Sequence, residues 1–372
     1  MDKLLTDDYI QALVNDATSE GEIQTKKVFK HTDLHGRKAY VKITNVNLHL
    51  LSRFDNVMKL PKKRFDELWR KGQPVIRQKQ YHLKETAIYK NPPACIAPHI
   101  PKFYGSTAND KYIALVIENV GLDDSKKVDL ANIYEGEGMD FAIGFMADLH
   151  TEFYNKREDA RAFYAKDVSK RNLVDYSPIA LEYLNYIRWL MFSDKELAES
   201  ADMFEVYLKM LERALQDLND LASGLERYGK TLVHGDMGWR NTIKGLDGKH
   251  KIIDWESILY ALPEYELVQY LTRANQDIVF LKRDGRDSFD MAALHGFYDE
   301  FLTKYLERVD FRHSLEEIKE AMYYAFVYFG ITHLVHTARI LHNSLRKRDD
   351  KKLPYTLEGP LYILPYLLKY AK

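Results

Sequence analysis

Cysteine is almost absent: Cys95 stands alone in a chain of 372 residues. One thiol cannot close an internal disulfide and no Cys spacing suggests a zinc site, so a reducing cytoplasmic compartment is the simplest expectation. Net charge is nearly absent as well. Lysine and arginine number 54 against 55 aspartates and glutamates, a formal charge of −1, which gives no global pull toward nucleic acid or an anionic membrane. No segment offers the roughly eighteen uninterrupted apolar residues of a spanning helix; even Tyr323 to Val335 carries Thr332 and His333. The opening Met1-Asp2-Lys3-Leu4-Leu5-Thr6-Asp7-Asp8 meets acid almost at once and lacks the apolar centre of a secretory signal.

What is present is the composition of an ordinary folded protein. The 46% hydrophobic and 29% charged residues exclude disordered and fibrous classes, and the length suits two domains or one two-lobed domain. Two strands flank the polar turn His31 to Gly36, with Val28-Phe29 before it and Ala39 to Ile43 after it. Just upstream, Ser19-Glu20-Gly21-Glu22 is either a tight loop over phosphates or a plain turn. Between Asn45 and Lys84 runs a basic segment that includes Lys59, Arg64, Arg70 and Lys79; such a run is a solvated helix face or, alternatively, a phosphate or membrane contact. Glu85 to Tyr89 has helical character and Asn91-Pro92-Pro93 stops it. Tyr112 to Ile117 is a buried strand, closed by the turn chemistry of Glu118-Asn119-Val120-Gly121.

Beyond Gly121 the pattern becomes helical, over Phe141 to His150, Ile179 to Phe192, Leu197 to Tyr228, Leu267 to Ala274, Ala292 to Val309, Leu315 to Ser344 and Leu361 to Tyr370. No repeat of fixed period occurs. The expected fold class is therefore α+β and two-lobed: a small β-rich N-terminal lobe over residues 1–120, a large mainly helical C-terminal lobe over 121–372, and a hinge near Glu118 to Gly121.

The richest chemistry lies between Val233 and Glu256. Asp236 and Asn241 stand in a D-x-x-x-x-N spacing, and Asp254 follows thirteen positions later. Phosphoryl transfer needs a carboxylate to orient or deprotonate an acceptor hydroxyl, and an amide oxygen and a second carboxylate to hold Mg²⁺ on the phosphates. These three side chains are those groups. Thr242-Ile243, the turn Gly245 to Gly248 and Lys251-Ile252-Ile253 read as a hairpin, which would return Asn241 and Asp254 to one end.

His234-Gly235-Asp236, Asn241 and Ile253-Asp254-Trp255-Glu256 resemble the signature of the aminoglycoside phosphotransferase and choline kinase-like family, small-molecule relatives of the protein kinases. The resemblance implies a protein-kinase-like fold, ATP and Mg²⁺ as cofactors, Asp236 as catalytic base, and Asn241 and Asp254 as metal ligands. It further implies that Lys42, in Val41-Lys42-Ile43, meets the α and β phosphates, with Glu85 holding it. On composition alone these two are a strand-edge lysine and an exposed helix acid. Gly21 would belong to the phosphate loop, and Glu118 and Val120 would lie where backbone groups meet adenine. Leu262 to Leu267 resembles the segment after the metal aspartate, with Glu266 where Asp is usual, in a structural role. The sequence also departs from the pattern. Gly21 is the phosphate loop's only glycine, about forty residues separate Lys42 from Glu85, Gly235 replaces the protein kinases' Arg, Trp-Glu follows Asp254, and no Ala-Pro-Glu stretch follows. A peptide-docking activation segment is thus absent, favouring a small-molecule hydroxyl acceptor. The alternatives are a protein kinase, or a catalytically silent nucleotide-binding regulatory protein of the same fold.

Other candidates read as structural. His333 and His336, three apart, lack a completing acid or cysteine; His150 and His234 suit buried bracing roles. Arg346 to Lys352 reads as a solvated inter-helix loop. Tyr183, Tyr186 and Trp189 either line a pocket for a cation or ring or pack as a helical stripe, and Glu199, Asp202, Glu205 and Glu264 either attract a cationic acceptor or are solvated.

Overall fold

The computed structural model describes residues 4–19, 26–32, 36, 38–45, 73–120, 136–165, 167–193, 201–244, 248–283, 291–347 and 355–370. In chain order the elements begin with α1 (Asp7–Thr18), β1 (Lys26–Thr32), β2 (Lys38–Asn45), α2 (Gln73–Lys90), β3 (Phe103–Ala108) and β4 (Tyr112–Glu118). Helices α3 (Gly136–Phe153), α4 (Arg157–Ala160), α5 (Lys170–Ser193), α6 (Ala201–Gln216) and α7 (Leu218–Arg227) follow, then the short strands β5 (Thr231–Val233), β6 (Thr242–Lys244), β7 (His250–Ile252) and β8 (Leu259–Ala261). The chain closes with α8 (Pro263–Arg283), α9 (Met291–Leu306), α10 (Leu315–Lys347) and α11 (Tyr355–Leu367). This is an α+β protein with a small antiparallel sheet toward its N-terminus and helices through most of the rest.

Two compact units emerge from the contacts. The first joins Met1–Val128, Arg161–Ala165 and Trp239–Ile258; the second joins Asp129–Ala160, Lys166–Gly238 and Leu259–Lys372. In the first unit the sheet has the order β1-β2-β4-β3, antiparallel throughout. Helix α1 is started by Thr6, whose side chain accepts the Tyr9 N–H, and by Asp7 and Asp8 in its first turn. Its Ile10, Val14 and Ala17, at helical spacing, pack with Val41, Ile43, Ala114 and Val116 in one buried cluster. Gly105 permits that approach, since a Cβ there would meet Ile10 Cδ1 at 2.5 Å. Strand alternation then has a consequence for function: with Val41 and Ile43 committed to this cluster, Lys42 points to the sheet's other face.

The expected hairpin is present. β6 pairs with β7 from Thr242↔Ile252 to Lys244↔His250, and the Ile253 N–H donates to the Asn241 carbonyl at 2.9 Å. Residues 245–247 of its turn lie outside the described residues, while Gly248 holds φ 76°, a left-handed value suited to glycine.

In the second unit the core is aromatic: Tyr270, Tyr298, Phe301, Tyr305, Phe326 and Tyr328 are each at most 1% exposed. The helix expected over Leu197 to Tyr228 is two, α6 and α7, because the Asp217 carboxylate accepts the Asp220 N–H at 3.0 Å and starts a new helix. Gly224 of α7 lies against the Tyr324 ring of α10, where a Cβ would overlap. Glu264 does not attract ligand from a solvated face. It is fully buried, with Arg312 Nε and Nη2 donating to its two oxygens at 2.8 and 3.2 Å, and the guanidinium lies over the Tyr154, Tyr228 and Phe311 rings. Among the described residues no helix is long and apolar enough to cross a membrane.

Candidate functional site

In the first unit, four charged side chains meet on the sheet face that carries Lys42. Its ammonium donates to Glu85 Oε1 and Oε2 at 2.7 and 2.9 Å, to Asp254 Oδ1 at 2.7 Å and to Glu256 Oε2 at 3.1 Å. Glu85 is no exposed helix acid. With His82, Ile88 and Tyr89 it forms the buried face of α2, and α2 packs against the turn Trp255–Ser257. Burial alone would depress the Lys42 pKa, but Glu85, Glu256 and Asp254 together lift it well above its ordinary value. The lysine is therefore a fixed positive charge at any physiological pH.

Asp254 is held by three local devices. Its backbone is left-handed, φ 63° and ψ 57°, a conformation that Asp tolerates better than most residues; its N–H donates to Tyr89 Oη at 3.1 Å. Trp255 beside it is fully buried and donates from Nε1 to the Ile252 carbonyl at 3.3 Å, which anchors the turn. The Tyr89 hydroxyl stays protonated because burial, and after it Glu85, raises its pKa far above the usual phenol value. His82 Nδ1 lies 3.5 Å from Glu85 Oε2 and 3.9 Å from Glu256 Oε2.

The second unit carries the loop of Asp236. The chain leaves β5 through His234, fully buried, and Gly235 at φ 74°. The Gly235 N–H donates to Glu266 Oε1 at 3.0 Å, Glu266 Oε2 is 3.0 Å from His150 Nε2, and His150 Nδ1 is 2.7 Å from the Tyr305 hydroxyl. The Asp236 N–H donates to His234 Nδ1 at 3.2 Å. Arg273 of α8 donates from Nη1 to the Asp236 carbonyl at 2.7 Å and ion-pairs through Nη2 with Asp236 Oδ1. The carboxylate is thus fixed from its backbone and its side chain while 32% exposed.

The structure brings Lys42, Glu85 and Asp254 into direct contact in the first unit, ties Asn241 to the strand that leads into Asp254, and sets Asp236 in the second unit; the chain passes between units from Gly238 to Trp239. Gly21 lies outside the described residues, as does most of the basic run, over 46–72. Lys84 of that run donates to the Arg161 and Ala162 carbonyls at 2.9 and 3.0 Å. Glu118 donates its N–H to the Lys102 carbonyl at 2.8 Å and takes the Lys102 N–H on its carboxylate at 3.2 Å; Val120 is buried. Sequence reasoning missed His82, Tyr89, Glu256 and Arg273. The first two stand three before and four after Glu85, a helical signal that was available. Glu256 stands two after Asp254, and no sequence signal couples Arg273 to Asp236.

Solved structures with a similar backbone include the choline kinase LicA from Streptococcus pneumoniae, 12% identical over 97% of this chain and 100% of that one with a TM-score of 0.48. An aminoglycoside phosphotransferase from Alicyclobacillus acidocaldarius is 12% identical over 100% and 94%, TM-score 0.48, and an ethanolamine kinase of Plasmodium vivax 12% over 96% and 87%, TM-score 0.48. No family model and no curated protein matches the chain.

Among the described residues the hard oxygen donors near Asp254 suit a magnesium ion: a carboxylate in Asp254 and an amide oxygen in Asn241 at the same end of one hairpin. Among the described residues His82, Glu85 and Glu256 have ligand atoms all within 4.8 Å of one another, and the two carboxylates already accept from the Lys42 ammonium.

Candidate tyrosines on α5 divide. Tyr183 is buried and Tyr186 stacks on Trp189 at 5.8 Å, with Trp189 61% exposed, so the three do not line one pocket. Glu205 is paired with Arg188 at 3.2 Å. His333 donates from Nδ1 to the Phe329 carbonyl at 2.9 Å and packs on the Phe329 ring.

Proposed function

We propose that this chain is a cytoplasmic, ATP- and Mg²⁺-dependent phosphotransferase acting on the hydroxyl of a small molecule such as an aminoglycoside, amino-alcohol or sugar. The observation that carries the reading is the Lys42 ammonium held between Glu85 and Asp254, in a chain whose H-G-D loop places Asn241 five residues beyond Asp236. Lys42, charged and pre-oriented, would pair with the α and β phosphates, and Glu85 would keep its stem from turning away. Asp236, fixed by Arg273, would accept the hydrogen bond of the acceptor hydroxyl and take its proton as the oxygen bonds to the γ-phosphorus and ADP departs. Asn241 and Asp254 would hold magnesium, which when bound neutralises phosphate charge. Glu118 and Val120 are proposed for the adenine side and Gly21 for the phosphate loop.

The lack of an Ala-Pro-Glu stretch after Asp254 supports a small acceptor over a protein one. The test is a thermal shift with ATP and Mg²⁺ run beside an ATP-consumption screen over aminoglycosides, choline, amino-alcohols, sugars, nucleosides and a generic protein substrate. Stabilisation together with turnover on one small-molecule class is the expected result. Stabilisation without turnover on any acceptor would make the chain a nucleotide-binding regulatory protein, and turnover on the protein alone would make it a protein kinase.

A further inference from the structure

Glu85 can hold the Lys42 ammonium only while α2 keeps its place, because both hydrogen bonds, at 2.7 and 2.9 Å, reach from that helix to a lysine on a strand. The helix has little apolar surface with which to hold itself there. Its buried face, among the described residues, is His82, Glu85, Ile88 and Tyr89; of these only Ile88 carries no polar side-chain atom. A helix that buries a carboxylate and little hydrocarbon gains little from apolar packing. Its position therefore depends on polar contacts.

Such a contact stands immediately beside Glu85. Lys84 Nζ donates to two successive main-chain carbonyls, Arg161 and Ala162, at 2.9 and 3.0 Å. They lie just past the end of α4, 77 and 78 residues from the lysine in sequence. They belong to the short stretch Arg161–Ala165, which packs with the first unit although the chain on either side of it runs in the second. That stretch is braced where it leaves and where it returns. The Ala160 N–H donates to the Lys156 carbonyl at 3.1 Å, the Val168 N–H to the Tyr260 carbonyl at 2.9 Å, and Arg157 Nη2 to Asp167 Oδ2 at 2.7 Å. Two bonds to neighbouring carbonyls fix the direction of the lysine as well as its distance. Burial, and after it the Arg161 charge, lowers the Lys84 pKa, but a neutral amine keeps two N–H groups for the same two carbonyls.

We propose that Lys84 is a positioning residue of the phosphotransferase site: its two hydrogen bonds lock α2 onto the carbonyls of residues 161 and 162 and so keep Glu85 on Lys42. The inference rests on the nucleotide reading of Lys42 given above. Lys84 acts through α2 and Glu85, not on the nucleotide itself.

The test uses the full-length protein, with amide hydrogen exchange and calorimetric titration of ATP in the presence of Mg²⁺. Lys84→Met should speed exchange over residues 82–90 about threefold to tenfold, with the strands of the first unit unchanged, and weaken ATP binding by a similar factor. Lys84→Arg, which keeps donors for both carbonyls, should match the wild type in both measurements. In a Glu85→Gln background, Lys84→Met should weaken ATP binding clearly less than it does alone, because the group it positions is already altered; a lysine with a merely structural role would cost the same in both backgrounds. The proposal is overturned if exchange over 82–90 is unchanged in Lys84→Met, if its ATP affinity stays within about twofold of wild type, if the loss is equal in the two backgrounds, or if Lys84→Arg is as impaired as Lys84→Met. A wild type that binds no ATP removes the nucleotide reading and this role with it, whereas a wild type that binds ATP beside an unaffected Lys84→Met removes the role alone.

Discussion

Replacing Glu266 separates two functions of one buried carboxylate. Glu266 is fully buried, and its two oxygens are divided between the Gly235 N–H and His150 Nε2, each at 3.0 Å. Glu266→Ala strands both partners without water, at about 1 to 3 kcal/mol apiece, so the second unit should lose about 2 to 6 kcal/mol. Glu266→Gln keeps an oxygen for Gly235 but turns an amide N–H toward His150. The imidazole can answer by moving its proton to Nδ1, because the partner there is a hydroxyl, Tyr305 Oη at 2.7 Å, able to accept as well as donate. The glutamine should therefore cost only about 1 kcal/mol. Urea denaturation followed by far-ultraviolet circular dichroism reads the difference. ATP turnover should follow the same order, since Gly235 at φ 74° sets the direction in which Asp236 leaves the strand. If alanine lies within about 0.5 kcal/mol of wild type, the range of an unremarkable surface change, or if glutamine is worse than alanine, the bracing account is wrong.

Other expected outcomes rest on different elements. Arg312→Met leaves Glu264 charged and buried, so it should destabilise by about 3 to 5 kcal/mol; adding Glu264→Leu should restore much of the loss in the same denaturation assay. Gly224→Ala forces a Cβ into the Tyr324 ring, and an overpacked helix contact should cost about 1 to 3 kcal/mol by thermal melting. Lys42→Met gathers Glu85, Asp254 and Glu256 without the ammonium that joins them, and calorimetry should show at least about a tenfold loss of ATP affinity, about 1.4 kcal/mol. The Arg188 hydrogen bond lowers the Glu212 pKa. Its contribution is thus present above the unfolded pKa of about 4.3 and is lost as pH falls through the folded value. Arg188→Met should therefore lower the melting temperature through the neutral region, leave the most acidic points nearly unchanged, and so flatten the acid limb in a pH series of melting curves.

How much of this was legible in the residues differs from one element to the next. The β6–β7 hairpin was legible because glycine turn chemistry stands between two short apolar stretches, and the pairing Thr242↔Ile252 follows from it. The structural roles of His150 and His234, both fully buried, were legible through the family resemblance of the segments that carry them. Lys42 and Glu85 were not settled by spacing, since a lysine in a strand and an acid in a helix are also what a solvated surface presents; only tertiary packing of α2 fixes Glu85 at 2% exposure. Helix α1 escaped notice because its stripe of Ile10, Val14 and Ala17 runs through a strongly polar segment. Glu264 could not be read as buried, because the group that makes burial tolerable, Arg312, lies 48 residues further on. Separation in sequence likewise hides Arg273 from Asp236, 37 residues apart.

The central claim is that Asp236 is the base of a phosphotransferase whose nucleotide is held by Lys42 and Asp254. The most direct measurement is product formation by phosphorus NMR, with ATP, Mg²⁺ and the best acceptor from the screen, for wild type and Asp236→Ala, with ATP binding measured on the same samples. The account predicts a phosphate ester from the wild type, and in the variant a turnover lower by about 10²- to 10⁴-fold, the usual contribution of a general base, with ATP still bound. Near-normal turnover in Asp236→Ala would contradict it.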